Sequence, residues 1–129
     1  MNEEEIINGN EIIRKFMGVK ITKISNISPN SVFWIAREGN LKPPYPTSFI
    51  SEKDIKFNYH LSLDILIPVI EKIENILEKQ YYVIISENNC EIKHRFNKTE
   101  GTIFINGSSK IESTWLAIIK FIEWYNKTL

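Results

Sequence analysis

The sequence predicts one α+β domain in which two long helices pack on a mainly antiparallel five-stranded sheet, with a short N-terminal helix in front. Its length of 129 residues suits a single domain that buries a core without disulfides. Two long segments repeat apolar residues at helical spacing, and shorter segments between turn residues have the composition of strands. The predicted order is α-β-β-α-β-β-β-α over residues 1–129.

The first helix is predicted over residues 10–17. Asn10 is suited to be its N-cap, and Gly18 stands where a C-terminal stop is expected. Asn8 and Gly9 interrupt the helical pattern before it, so an extension back toward the N-terminus is left open.

Two strands follow, over residues 19–27 and 32–37. The Ser-Pro-Asn-Ser sequence of residues 28–31 has turn chemistry and predicts that they form a hairpin. Residues 38–58 are irregular, and they include the proline-rich segment 41–49. A loop of this length in a small domain is typically functional or mobile.

The second helix is predicted to begin at Ser62, whose hydroxyl can cap it, with Asp64 in its first turn. Pro68 lies close enough to the start to bend the first turns without ending the helix. The apolar stripe that faces the core runs through Leu63, Leu66, Ile70, Ile73 and Leu77.

Three more strands are predicted over residues 81–87, 90–96 and 102–105. Residues 90–96 alternate apolar and polar side chains, which predicts a half-solvated strand near a sheet edge. Residues 81–85 and 32–36 are apolar on both faces, which predicts central strands.

The last helix is predicted over residues 110–126. On a helical wheel, Leu116 and Trp124 fall away from its main apolar stripe. An aromatic residue off the core stripe is a candidate anchor for a partner protein, although burial under another segment explains the same position.

The charge balance and the single cysteine limit the function classes. Sixteen basic and sixteen acidic side chains cancel, so nucleic acid or an anionic membrane could bind only through a local patch. One cysteine, without a basic and apolar leader at the N-terminus, fits a reducing compartment. We therefore expect a cytoplasmic protein that does not bind membranes.

No constellation in the sequence indicates catalysis. Cys90 and His94 share one face of a strand but lie about 13 Å apart at strand rise, which is too far for a nucleophile and its base. His60 has no partner at metal-ligand spacing, and no glycine-rich phosphate loop occurs. The sequence predicts a protein that is not an enzyme and that needs no metal and no cofactor.

The strongest local patch is basic. Lys93, Arg95 and Lys98 cluster on one predicted hairpin, where Tyr81 or Tyr82 could add a stacking surface for single-stranded nucleic acid. A solvated strand protecting a sheet edge explains the same residues.

Three segments together resemble a group of small bacteriophage and prophage proteins, similar to the phage α-β-α sandwich domain. The segments are Asn-Glu-Ile-Ile-Arg-Lys-Phe-Met-Gly at residues 10–18, the stretch from Tyr59 to Glu74, and the stretch from Ser109 to Asn126. They cover the three predicted helices and consist mostly of caps and core positions. The insert 41–49 is not part of the resemblance.

The resemblance implies a phage accessory protein that acts by binding a host macromolecule, as anti-CRISPR proteins do. The implied partner is a host protein or ribonucleoprotein complex, in particular a CRISPR effector nuclease or its guide RNA. The expected partner-binding residues are Tyr45, Leu116 and Trp124. A nucleic-acid-binding accessory protein, using Lys93, Arg95 and Lys98, is the alternative.

Overall fold

The structure is a computed structural model that describes residues 2–28, 31–37, 45–47, 57–96 and 98–129, with side chains for residues 2–19, 57–96 and 98–129. Its elements are α1 (Glu3–Met17), β1 (Lys20–Ser28), β2 (Ser31–Arg37), β3 (Tyr45–Thr47), α2 (Leu63–Asn75), β4 (Tyr81–Ile85), β5 (Asn89–His94), β6 (Ile103–Asn106) and α3 (Lys110–Thr128). The chain forms two compact units. We call Arg14–Phe57 the hairpin unit, and Met1–Ile13 with Asn58–Leu129 the main unit.

The α+β class is confirmed, but the single five-stranded sheet is wrong. The described strands form two three-stranded antiparallel sheets, β1-β2-β3 in the hairpin unit and β4-β5-β6 in the main unit. Alternation within a strand indicates which faces are apolar, whereas sheet membership depends on pairing between distant segments. The sequence pattern therefore could not assign the strands to sheets.

The hairpin unit contains the predicted hairpin and one strand that was not predicted. β1 and β2 pair antiparallel, from Lys20 opposite Arg37 to Ser28 opposite Ser31. The short strand β3 pairs with β2 in a stretch expected to be irregular. The sequence did not predict this strand because Pro46 lies within it. Proline occurs in sheets mainly on edge strands, and β3 is an edge strand. Most of segment 41–49 lies outside the described residues.

Helix α1 begins earlier than predicted. Gly9, which predicted an interruption, lies inside the helix. A Cβ atom built on Gly9 would lie 2.3 Å from Cζ2 of Trp115 and 2.6 Å from Cδ1 of Ile119, both on α3. The glycine therefore marks a close approach of two helices and does not break the helix. Gly18, at φ 71°, ends the helix as predicted.

Asn10 is a buried junction in the middle of α1 and not the predicted N-cap. Its side chain is 3% exposed, and its Oδ1 accepts a hydrogen bond of 2.8 Å from Nε1 of Trp115. Its amide nitrogen lies 2.9 Å from Nδ1 of His60. An indole nitrogen can only donate, so the amide oxygen must face Trp115 and the amide nitrogen must donate to His60. One side chain thus joins α1, the turn before α2, and α3.

Helix α2 begins as predicted. The Ser62 hydroxyl accepts a hydrogen bond from the Asp64 backbone N–H at 3.2 Å, which satisfies one of the free donors of the first turn. Pro68 lies inside the helix. The side chains buried against α3 and the sheet are Leu66, Val69 and Ile73.

A left-handed turn follows α2, although the apolar stripe had predicted helix through Leu77. Leu77, Glu78 and Lys79 have φ values of 50°, 59° and 59°, a conformation that costs about 1–2 kcal/mol per non-glycine residue. Arg95 offsets part of this cost: its Nε donates to the Lys79 carbonyl at 2.8 Å, and its backbone N–H donates to the Gln80 carbonyl at 2.7 Å.

The sheet of the main unit has β5 in the middle and β4 and β6 at its edges. This corrects both predictions about these strands, since residues 90–96 were expected near an edge and residues 81–85 in the centre. The side chains of β5 that point to the helices, Cys90, Ile92 and His94, are buried. Helix α3 packs on β5 and β6, and α2 packs on β4 and α3. Neither of these helices packs on the opposite face of the sheet, which we call the open face.

Helix α3 begins with a reciprocal cap. The Ser109 hydroxyl accepts from the Glu112 backbone N–H at 3.1 Å, and the Glu112 carboxylate accepts from the hydroxyl and backbone N–H of Ser108 at 2.8 and 3.3 Å. These hydrogen bonds lower the pKa of Glu112. The helix then supplies much of the core, with Trp115, Ala117, Ile118, Phe121 and Ile122 all buried.

Candidate functional site

The open face of the β4-β5-β6 sheet is the clearest candidate for a binding surface among the described residues. It carries Tyr82 and Ile84 from β4, Glu91 and Lys93 from β5, and Phe104 from β6, which together we call the sheet surface. The strand register places Tyr82 opposite Lys93, and Ile84, Glu91 and Phe104 in one row across the three strands. Ile84 is 38% exposed and Phe104 is 54% exposed. Large apolar side chains therefore meet solvent on a rigid strand scaffold.

The sheet surface carries both signs of charge. Nζ of Lys93 lies 3.5 Å from Oε2 of Glu91, and both side chains are partly exposed. The Arg95 guanidinium lies 5.3 Å from the ring centroid of Tyr82, close enough for a cation–π contact. Because Arg95 also holds the left-handed turn, its position at the margin of the sheet surface is fixed by the fold.

A cluster of aromatic rings lies under one end of the same sheet. The Tyr81 ring packs against His94, Phe121 and Trp124, with centroid distances of 4.9, 5.3 and 5.6 Å. Its hydroxyl donates to the Glu100 carbonyl at 2.7 Å. Burial, and then the nearby Glu100 carboxylate, raise the pKa of Tyr81. The cluster stabilises the junction of the sheet with the end of α3.

His94 has a structural position in this cluster. Its Nδ1 accepts from the Phe96 backbone N–H at 3.0 Å, so in the neutral ring the proton is on Nε2, which lies 3.2 Å from Oε1 of Gln80. Both ring nitrogens are satisfied in a side chain that is 5% exposed.

The structure brings two of the predicted nucleic-acid-binding residues together. Lys93 and Arg95 both lie near Tyr82, the first opposite it in the register and the second over its ring. Lys98 is exposed in the turn before β6, where its carbonyl accepts from the Thr102 hydroxyl at 3.1 Å.

Two of the predicted partner-binding residues, Leu116 and Trp124, lie on α3 and not on the sheet surface. Leu116 and Trp124 are both half-buried on α3, and Trp124 packs on Tyr81 and Phe121. Tyr45 belongs to β3 of the hairpin unit, and its side chain is outside the described residues. The role of these three residues as anchors stays a prediction.

Sequence reasoning missed the apolar part of the sheet surface. The sequence places Ile84 in a run that is apolar on both faces and predicts a central strand, and it places Phe104 only within the strand predicted over residues 102–105. Phe96, 70% exposed after β5, was placed on the apolar face of its strand. The signal that could have found them is that the chain has too few helices to cover both faces of every strand.

Cys90 is a buried thiol with low reactivity. It is 0% exposed, and burial raises its pKa from 9.0 to about 11, while the hydrogen bond with Thr114 lowers the pKa and nearby Glu91 raises it. The thiolate is the reactive species, so Cys90 is protected by the fold.

We expect Cys90 in the folded protein to react with iodoacetamide at pH 8 about 100-fold more slowly than in urea, because a rise of its pKa from 9.0 to about 11 lowers the thiolate fraction by about that factor. Since the fold favours the neutral thiol, this group stabilises the protein fully below about pH 9, and the stabilisation is lost as the pH rises through about 11. Mass spectrometry of quenched samples measures the rate. A Ser86→Cys, Cys90→Ser variant is the control, with an exposed thiol expected to react equally fast in both states. Equal rates for native Cys90 in the two states would contradict its burial.

The fold and this surface define a small α+β protein with one helix-covered and one open face on its main sheet. Comparison of the chain with protein-family models, with curated proteins and with solved structures finds no match. Within the described part of the chain, no three His, Cys, Asp or Glu side chains are grouped to hold a metal ion. No helix there is long and apolar enough to cross a membrane.

Proposed function

We propose that this chain is a non-enzymatic binding protein that attaches to a host protein through the sheet surface and inhibits it. The observation that carries the proposal is the exposure of Ile84 and Phe104 on the open face of the sheet, beside Tyr82 and Arg95. Aromatic residues and arginine are enriched among the residues that dominate protein–protein binding energy. A three-stranded sheet holds them in place, so little conformational entropy is lost on binding.

The charges on the sheet surface favour a protein partner over nucleic acid. Glu91 lies in the same row as Ile84 and Phe104, and its carboxylate would repel a phosphate backbone laid across the strands. The Glu91 and Lys93 pair suits a partner that also presents both signs of charge, because complementary charges fix the register of an interface.

The resemblance to phage proteins suggests the class of partner. In this proposal the chain is a phage or prophage accessory protein that acts in the cytoplasm of the bacterial host and needs no cofactor. Its partner is a defence nuclease, in particular an RNA-guided effector complex of the CRISPR type. Covering a functional surface of the nuclease suffices for inhibition and requires no chemistry by this chain.

The experiment measures phage plaque formation on bacterial strains that each carry one RNA-guided nuclease directed against the phage. Expression of the chain is expected to restore plaques in at least one strain. The purified chain should then inhibit DNA cleavage by that purified effector. Ile84→Gln and Phe104→Gln should each weaken binding by about 30-fold or more, the size expected for loss of a dominant contact of about 2 kcal/mol.

Ile67 provides the matched control. It is 46% exposed but lies on α2, so Ile67→Gln should leave inhibition unchanged. If no effector is inhibited, the proposed partner class is wrong. If an effector is inhibited and the Ile84 and Phe104 variants behave like wild type, the surface is wrong, and variants of Tyr45, Leu116 and Trp124 become the next test.

A second candidate function, binding of single-stranded nucleic acid, is favoured by Lys93 and Arg95 beside the Tyr82 ring. It predicts an affinity for RNA or DNA that falls steeply between about 50 and 200 mM salt, because bound phosphates release counterions. Fluorescence anisotropy of a labelled oligonucleotide measures it, with Lys93→Gln as the informative variant. Affinity that does not depend on salt, or no binding, argues for the protein partner.

A further inference from the structure

The outer edge of β6 has backbone groups that face away from its sheet. The Gly107 backbone N–H donates to the Asn88 carbonyl at 2.8 Å, and the register continues with Ile105 opposite Cys90. Because backbone groups along a strand point alternately to the two sides, Ile103 and Ile105 bond to β5, and Phe104 and Asn106 point outward. Among the described strands, none pairs with this edge.

The two edges of the sheet differ in their protection. On β4, the outward N–H of Val83 is occupied by the Glu74 carboxylate of α2, at 3.1 Å. Residues 102–106 of the β6 segment read Thr-Ile-Phe-Ile-Asn and contain no charge and no proline, the usual devices that stop an edge strand from pairing. An unprotected edge invites an additional strand.

We propose that two copies of this chain pair through β6, antiparallel about a two-fold axis at Phe104, and form one continuous six-stranded sheet. The two Phe104 residues then exchange two hydrogen bonds, each N–H donating to the carbonyl of the other copy. The Asn106 N–H of each copy donates to the Thr102 carbonyl of the second copy. The N–H of Thr102 is not needed, and it already donates to the Thr99 carbonyl in its own turn at 3.2 Å.

Residues 102–106 can pair with the same residues of a second copy. A contact about a two-fold axis requires such a self-complementary strand. Centred on Phe104, the pairing sets Asn106 against Thr102, which are both neutral and can hydrogen-bond, so no like charges meet. The two Phe104 rings come side by side on the sheet surface, where a single copy leaves each ring 54% exposed. Aromatic pairs opposite each other on neighbouring strands stabilise a sheet.

The proposal is tested by sedimentation equilibrium of the full chain over a range of concentrations. The mean mass should rise with concentration from 15.1 kDa toward twice that value. Asn106→Pro removes an outward N–H that the monomer does not use in its own sheet, and edge strands tolerate proline. This variant should stay monomeric at every concentration, with an unchanged circular dichroism spectrum. A wild-type chain that is monomeric throughout, or an Asn106→Pro variant that dimerises like wild type, overturns the proposal.

Disulfide trapping provides a test that does not depend on proline. Paired residues of this type have Cα atoms about 5.5 Å apart, which is within disulfide range. In a Cys90→Ser background, Phe104→Cys should form a cross-linked dimer under mild oxidation. Ile84→Cys, on the same face but on β4, should remain largely monomeric. Equal cross-linking of the two variants would contradict pairing through β6.

The outcomes separate this proposal from the proposed function. Asn106→Pro keeps the Phe104 ring and should still inhibit the host nuclease. Phe104→Gln keeps the backbone hydrogen bonds and should still dimerise, more weakly because the aromatic pair is lost, whereas it loses the partner. A chain can therefore fail either test and pass the other.

Discussion

Replacing Asn10 with alanine is expected to lower the free energy of unfolding by about 3 kcal/mol, since it leaves buried polar groups without their hydrogen bonds. The group most affected is the indole N–H of Trp115, which donates to Oδ1 of Asn10 at 2.8 Å. The Trp115 residue is only 2% exposed. The hydrogen bond between Asn10 and His60 is lost as well. Urea unfolding followed by circular dichroism measures the change, and Asn8→Ala, at an exposed position of the same helix, should stay within about 0.5 kcal/mol of wild type.

A double-mutant cycle with Trp115→Phe shows whether the indole hydrogen bond is the cause. Phenylalanine has no N–H to satisfy, so Asn10→Ala should cost at least about 1 kcal/mol less in that background. An equal cost in both backgrounds would place the stabilisation in the other contacts of Asn10.

Replacing Gly9 with alanine is expected to destabilise the protein by about 2 kcal/mol, although the same change in an ordinary helix interior would stabilise it by about 1 kcal/mol. The new methyl group would lie 2.3 Å from Cζ2 of Trp115 and 2.5 Å from Cη2, so α1 and α3 would have to move apart. Thermal or urea unfolding measures the effect.

The sign of the Gly9 effect should depend on Trp115. Those two ring atoms belong to the part of the indole that phenylalanine lacks. In a Trp115→Phe background, Gly9→Ala should therefore be neutral or stabilising, because only the helix propensity term remains. Destabilisation of the same size in both backgrounds would show that Ile119, 2.6 Å from the methyl position, or the backbone limits the space.

Residues 8–10 show where sequence reasoning fails in this fold. Within a helical pattern, glycine is a local signal of an interruption, and asparagine is a local signal of an N-cap. Here Gly9 and Asn10 instead serve contacts with Trp115, more than a hundred residues later. A single sequence contains no information about that distance, so the predicted helix start at Asn10 was wrong, and the extension toward the N-terminus that the pattern left open is the observed one. Ser62 was predicted correctly because a cap acts on its own first turn.

The candidate site was predictable only in its polar part. Lys93 and Arg95 appear in the sequence as an alternating strand, and the structure confirms that Lys93 is exposed and that Arg95 lies over Tyr82. Ile84 and Phe104 could not be recognised, because an apolar residue on an uncovered sheet face looks the same in sequence as one in a core. Only the arrangement of α2 and α3 on one face distinguishes the two.

The hydrogen bond between Glu74 and Val83 sets a limit on how the protein can assemble. A sheet with two open edges can add copies at both ends and grow into a fibre. Here the carboxylate fills the middle of one edge, so a copy that pairs through β6 presents blocked strands on both outer sides of the pair. In the proposed pair, growth of the β4-β5-β6 sheet therefore stops at two copies.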